Sequence, residues 1–350
     1  MMKTVPAAAG YLCGRNGVQA LIQPVTLLLI IAVGYMFKRF GLFGPRDYRV
    51  LQTAEFNLVL PGAIIYSFAT QPHDIRLLWI SLFGFIAAAV PPALIFLCTG
   101  RRPVAQRAFV MLNGAGFNVG CFCFPVLQAF FGPSALVPAA MFDVGNCIMV
   151  AAGTNVLTQT LLHIAPDMTL VEQHAGDAPT LPYERPTDRD ARRLARRTLL
   201  RRVARGFASS VSFDVYMVMI VLMLAGIRIP GVIAQIAQPV AAANSLCAML
   251  MVGMLMDVPA GRADVRAVLE VLAWRLPCGI LFAAAAWFLL PFDVAIRQAV
   301  ALCCLAPIAV FSTMFTDKVL GNARLAGFSL ALTAVVSLTL MTLARVTLLG

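Results

Sequence analysis

The run Asn113-Gly-Ala-Gly-Phe-Asn118-Val-Gly-Cys-Phe-Cys-Phe-Pro125 lies inside an apolar stretch, 107–131, that is long enough to cross a bilayer. Within thirteen residues it holds three glycines, two asparagines and a proline. Gly and Pro cost about 1 and 3 kcal/mol in a helix interior, so the run predicts a broken helix, with the break around Asn118 to Pro125. Non-helical backbone survives at membrane depth only when it is buried in protein or lines a cavity. The break therefore marks a site.

The surrounding sequence has the same character. A hydrocarbon core about 30 Å thick takes ~20 helical residues to span, and apolar stretches of that order lie at 18–37, 51–70, 77–98, 107–131 and 134–163, then at 213–229, 235–258, 265–290, 294–317 and 323–348. The chain is 60% hydrophobic and 12% charged, with mean hydropathy +0.85. A soluble domain carries about twice that charge. The fold class expected is an all-α membrane protein of ten transmembrane helices, in two halves at 1–163 and 211–350 joined by a linker at 164–210.

Although the net charge is +11, nucleic acid is not the implied partner, because the surplus follows topology. Loops after odd-numbered spans hold 20 Lys and Arg, among them nine from Arg185 to Arg205, against 6 on the opposite face. By the positive-inside rule those loops, with the 164–210 insert, are cytoplasmic and both termini are outside a plasma membrane. Five spans per half oblige any structural repeat to be inverted, a signature of secondary transporters. Three proline pairs echo one another at corresponding spans: Pro61 with Pro239, Pro92 with Pro277, Pro125 with Pro307. The insert ends in a basic segment over 188–205, free of Gly and Pro. It reads either as an amphipathic helix holding anionic lipid through Arg189 to Arg205 or as a topology anchor alone.

Chemistry is expected where the fourth and ninth spans break. In the ninth, Ala306-Pro307 is followed by Ser312 and Thr313. If both spans unwind at the midplane from opposite directions, two helix starts near Pro125 and Pro307 meet, each with unpaired N–H groups and about half a positive charge. Such ends suit an anionic group, and the competing reading is two packed proline kinks without a ligand. The candidate substrate-binding residues are Asn118, Gly120, Pro125, Asn244, Ser245, Ala306, Pro307, Ser312 and Thr313. Asn113, Asp143 and Asn146 are candidates for coupling or support, Asp143 through a proton or by bracing the broken helix. Asn57 reads as interhelical glue. Arg275 either snorkels to the cytoplasm or pairs with an acid such as Glu270, while Glu55, Asp214 and Asp257 read as interfacial. Beyond a coupling proton or Na+, neither cofactor nor metal is expected: Cys121-Phe-Cys123 and Cys303-Cys304 lack zinc spacing and a nearby histidine.

The chain resembles the auxin efflux carrier family, whose prokaryotic members include organic-acid permeases. The resemblance rests on Phe56-Asn57-Leu-Val-Leu-Pro61, on Asn118-Val-Gly120 through Phe124-Pro125-Val and Phe131-Gly132, and on Phe142-Asp143-Val-Gly145-Asn146. Pro239-Val-Ala-Ala, Val252-Gly253-Met-Leu, Ala306-Pro307 and the stretch from Ala326 to Ser337 continue it. It implies two inverted five-helix repeats, a scaffold and a transport unit, helices 4 and 9 crossing at Pro125 and Pro307, and a homodimer. The chain departs from the family pattern at Phe213-Asp214-Val, where Asn-Pro often enters the sixth span, and at Val310-Phe311, where a polar Asn is common. No nucleotide-binding, H-E-x-x-H or G-x-S-x-G motif occurs, so the chain is expected not to be an enzyme. The expected function is a permease moving a small organic anion by alternating access, and the alternatives are a channel-like pore or a carrier of neutral or cationic solutes.

Overall fold

A computed structural model describes residues 8–44, 46–70, 74–165, 168–182 and 211–347, with scattered positions between 188 and 204. Half of the basic segment expected over 188–205 lies outside the described residues. Among those described there is no strand. The helices of the first half are α1 (Ala8–Arg39), α2 (Tyr48–Ala54), α3 (Leu60–Thr70), α4 (Leu78–Cys98), α5 (Val104–Gly114), α6 (Phe124–Phe131), α7 (Leu136–Ile148) and α8 (Thr154–Leu162). Those of the second are α9 (Val211–Leu224), α10 (Gly231–Ala242), α11 (Asn244–Leu255), α12 (Arg262–Leu289), α13 (Val294–Cys303), α14 (Val310–Leu320) and α15 (Ala323–Thr347). Three π turns, at Glu55–Val59, Val119–Cys123 and Met149–Gly153, run directly into α3, α6 and α8.

Among the described residues, five continuous helices are long and apolar enough to cross a membrane: Ile75–Cys98, Pro133–Leu162, Gly231–Leu255, Arg262–Leu289 and Ala323–Thr347. A sixth span forms if Val104–Gly114 and Val119–Phe131, bent by 50° at their junction, are taken together. Each falls on a stretch read from the sequence. Val211–Leu224 and Val294–Cys303 are shorter apolar helices, while α1 and the α2–α3 run coincide with 18–37 and 51–70.

The distribution of polarity is that of a membrane protein. Trp79, Leu97, Leu281, Phe288 and Leu289 face outward, Phe288 with 77% of its surface exposed, whereas Glu55, Arg107, Asn113, Asn118, Asp143, Asn146 and Arg275 are buried. An apolar exterior on this scale needs lipid or a partner to cover it. Small residues bring helices into backbone contact: a Cβ on Gly145 of α7 would lie 1.7 Å from the carbonyl oxygen of Ser81 in α4, and Gly34 of α1 abuts Gly253 of α11. Packing sorts the helices into two groups. One joins α1 to α11, α3 to α10 and α9, and α2 to α11; the other joins α4 to α7, α5 to α12 and α14, and α12 to α13.

Candidate functional site

The chain between α5 and the π turn Val119–Cys123 unwinds over Ala115–Asn118. Ala115 is extended and Gly116 has φ +67°, a left-handed conformation that costs an L-residue with a Cβ roughly 1–2 kcal/mol. The break thus ends at Asn118, and Pro125, expected within it, sits in the second position of α6. The π turn explains the shift. Proline lacks an N–H and would clash with the carbonyl four residues back, but the turn is wider, with the Phe124 N–H donating to Val119 O, so the helix passes the proline unbroken. In the ninth span the helix lapses between Cys303 and Val310, and Pro307 lies in that gap as expected. The two gaps touch, since Asn118 N–H donates to Pro307 O at 3.0 Å.

Arg275 of α12 occupies the carbonyl side of this crossing. Its Nη2 donates to Gly116 O at 2.6 Å, Pro307 O at 2.7 Å and Ala306 O at 2.8 Å, while Nη1 reaches Asn113 O at 3.4 Å. Its guanidinium also stacks 5.1 Å from the Phe117 ring. The C-terminal ends of α5 and α13 carry partial negative charge and unpaired carbonyls, and one planar five-donor cation serves both. Arg275 therefore neither snorkels nor pairs with an acid, as the sequence reading had it. Glu270 pairs instead with Arg102.

A second brace holds the gap from α7. The Asn146 side-chain amide bonds the Phe117 backbone twice, accepting from its N–H at 2.9 Å and donating to its carbonyl at 2.8 Å. Asn146 Nδ2 also donates to Asp143 Oδ1, and Tyr216 of α9 donates to Asp143 Oδ2, both at 2.8 Å. This arrangement favours bracing as the role of Asp143. Asn113 reaches across to α14 through Thr316 Oγ1 at 2.8 Å.

On the other side of the crossing, the helix starts at Val119 and Val310 face a cavity of about 50 Å³, room for three or four water molecules by volume. Asn118, Gly120, Asp143, Tyr216, Val310 and Phe311 line it. Neither helix start has a side-chain cap. Asn118 Nδ2 is buried with no hydrogen-bond partner. Donors and helix ends thus converge on one small, partly open space that can accept an anionic oxygen.

Of the remaining candidates, Asn244 lies close by, its Nδ2 3.5 Å from Gly120 O, and also lines a second cavity of about 130 Å³ with Tyr66, Gln128 and Gln238. Thr313 lines a separate cleft of about 510 Å³ with Lys38, Arg49, Gln52, Asp257 and Lys318, while its hydroxyl donates to Val310 O. Ser312 is buried and Ser245 half-buried, and neither lines any of these spaces. Ala306 and Pro307 contribute carbonyls to Arg275 rather than surface to the cavity. Two further expectations are corrected: Asn57 bonds Thr53 O within its own helix, and Glu55 is fully buried rather than interfacial. Arg275 and Tyr216 are the functional side chains the sequence reading did not place. Their only signal was polarity within an apolar span.

No family model matches the chain. Among curated proteins it is similar to a protein named "uncharacterized transporter" from Methanothermobacter thermautotrophicus, 25% identical over 129 residues. That match takes in 36% of this chain and spans less than half, 43%, of the relative.

Proposed function

We propose that the protein is a secondary transporter of the auxin efflux carrier type, moving a small organic anion, most simply a carboxylate, across the plasma membrane by alternating access. The observation that carries this reading is the pair of uncapped helix starts at Val119 and Val310 sharing one cavity with the unpartnered Nδ2 of Asn118. The similarity to a named transporter and the lipid-facing exterior support the general class. In this reading ten spans form two inverted repeats, 1–163 and 211–350, with both termini outside, the 164–210 linker cytoplasmic and its arginines on anionic lipid. The group containing α4, α5, α7 and α12–α14 moves against the group containing α1–α3 and α9–α11, and two copies assemble. A cavity of about 50 Å³ is too small for an organic acid, so substrate is taken up after the groups part.

Thermal shift of the purified protein against malonate, malate and an aromatic acid, at two pH values, tests the site. One acid class is expected to stabilise saturably, by about 2.7 kcal/mol at a hundred times its Kd, and Asn118→Ala is expected to lose that stabilisation. No response to any acid in a protein that unfolds cooperatively, or an equal response in Asn118→Ala, would sink the anion site and bring neutral or cationic solutes forward.

A further inference from the structure

The carboxyl group of Glu55 is completely enclosed, and neither of its oxygens has a hydrogen-bond partner among the described residues. It opens the π turn Glu55–Val59, six positions before Pro61. Such turns recur at functional sites because they re-aim side chains and loosen the helical ladder. The neighbouring residue ties this turn to the crossing: the Phe56 ring lies 5.2 Å from that of Phe311 in the first turn of α14 and lines the small cavity. Helix α11 packs against both this π turn and the one at Val119–Cys123.

The titratable groups on the surrounding elements leave the carboxyl to itself. Helix α9 offers Asp214, which is exposed, and Tyr216, whose hydroxyl donates to Asp143. Helix α11 offers Cys247 and the crossover π turn Cys121 and Cys123. Tyr48 and Arg49 lie at the start of α2, Tyr66 of α3 is eleven positions after Glu55, Asp317 and Lys318 lie towards the far end of α14, and α10 has none. A carboxylate stripped of both water and partners is far less stable than the neutral acid. The conformation described here accordingly needs a proton on Glu55. Movement of the crossing against α11 would admit water to the turn, and there the acid O–H bond can break, leaving the carboxylate and passing the proton to water.

We propose that Glu55 is the proton-carrying site of the transporter, protonated while the crossing is closed and deprotonated when it opens. The coupling half of this inference rests on the transport reading above.

Two measurements separate the two. Infrared difference spectra of the purified full chain after a pH jump should show a protonated-carboxyl C=O band that vanishes in Glu55→Gln, moves in Glu55→Asp and persists in Asp143→Asn. A spectrum unchanged in Glu55→Gln overturns the proposal whatever the protein carries. In proteoliposomes with a trapped pH dye, offered malonate, malate or an aromatic acid, a one-unit pH gradient should concentrate one of them about tenfold at one proton per acid. In Glu55→Gln the concentration ratio of the acid across the membrane should fall to about one, and a variant that still concentrates the acid overturns the coupling. If no acid enters, the organic-anion reading fails alone, and the infrared result still decides whether Glu55 binds the proton.

Discussion

Arg275 is a cation deep in an apolar helix whose partners are main-chain oxygens from four residues on two other segments. Carbonyls carry no signature in a sequence, so the sequence offers only snorkelling or an acid as uses for a lone arginine there. Hydrogen bonds to charged groups contribute about 1.5–3 kcal/mol each, so Arg275→Met is expected to destabilise the protein by at least ~2 kcal/mol and to abolish transport. Arg275→Lys should recover only part, because one ammonium cannot span the fork. Thermal unfolding in detergent, beside uptake in vesicles, checks both, and an Arg275→Met protein with unchanged unfolding would remove the cap assignment. Glu55 was misread for a related reason: its position along the span suggested an interface, while the helices that enclose it are distant in sequence. The place of Asn118 in the broken stretch, by contrast, was legible, because glycines flank it within an apolar span.

At the level of helices, the break was predicted correctly in kind and placed too late by several residues. The glycines set its position and the proline does not, since a π turn lets the helix run past Pro125. Local composition shows that a helix must yield, but which residue yields depends on the braces from Asn146 and Arg275. Gly116→Ala, forced into φ +67°, is expected to cost roughly 1–2 kcal/mol, whereas Pro125→Ala should be nearly neutral for stability. The opposite order in unfolding midpoints would place the break back at the proline. In the close pairing of α4 and α7, Gly145→Val drives a side chain into Ser81 O. Loss of folded, monodisperse protein is the expected outcome, read by size-exclusion profile.

Across the whole molecule, the five continuous spans and the bent sixth among the described residues were the most legible feature, because hydrophobic length reports on the bilayer directly. How the two halves pack was not, since pairings such as Gly34 with Gly253 join residues far apart in the chain. The proposed orientation puts the cleft at Thr313 on the cytoplasmic side. A cysteine introduced as Thr313→Cys, with the native cysteines replaced, should react with a membrane-impermeant thiol reagent from inverted vesicles and not from intact cells. The reverse pattern would invert the topology. The grip of Arg275 on both broken segments has one more effect, because a charge fastened to that crossing travels wherever the crossing travels. An elementary charge moved through a full 100 mV drop changes the energy by about 2.3 kcal/mol, so in the proposed alternating-access cycle even a partial excursion makes membrane voltage a determinant of the resting state, and the sign of that bias reports the net charge of the moving unit.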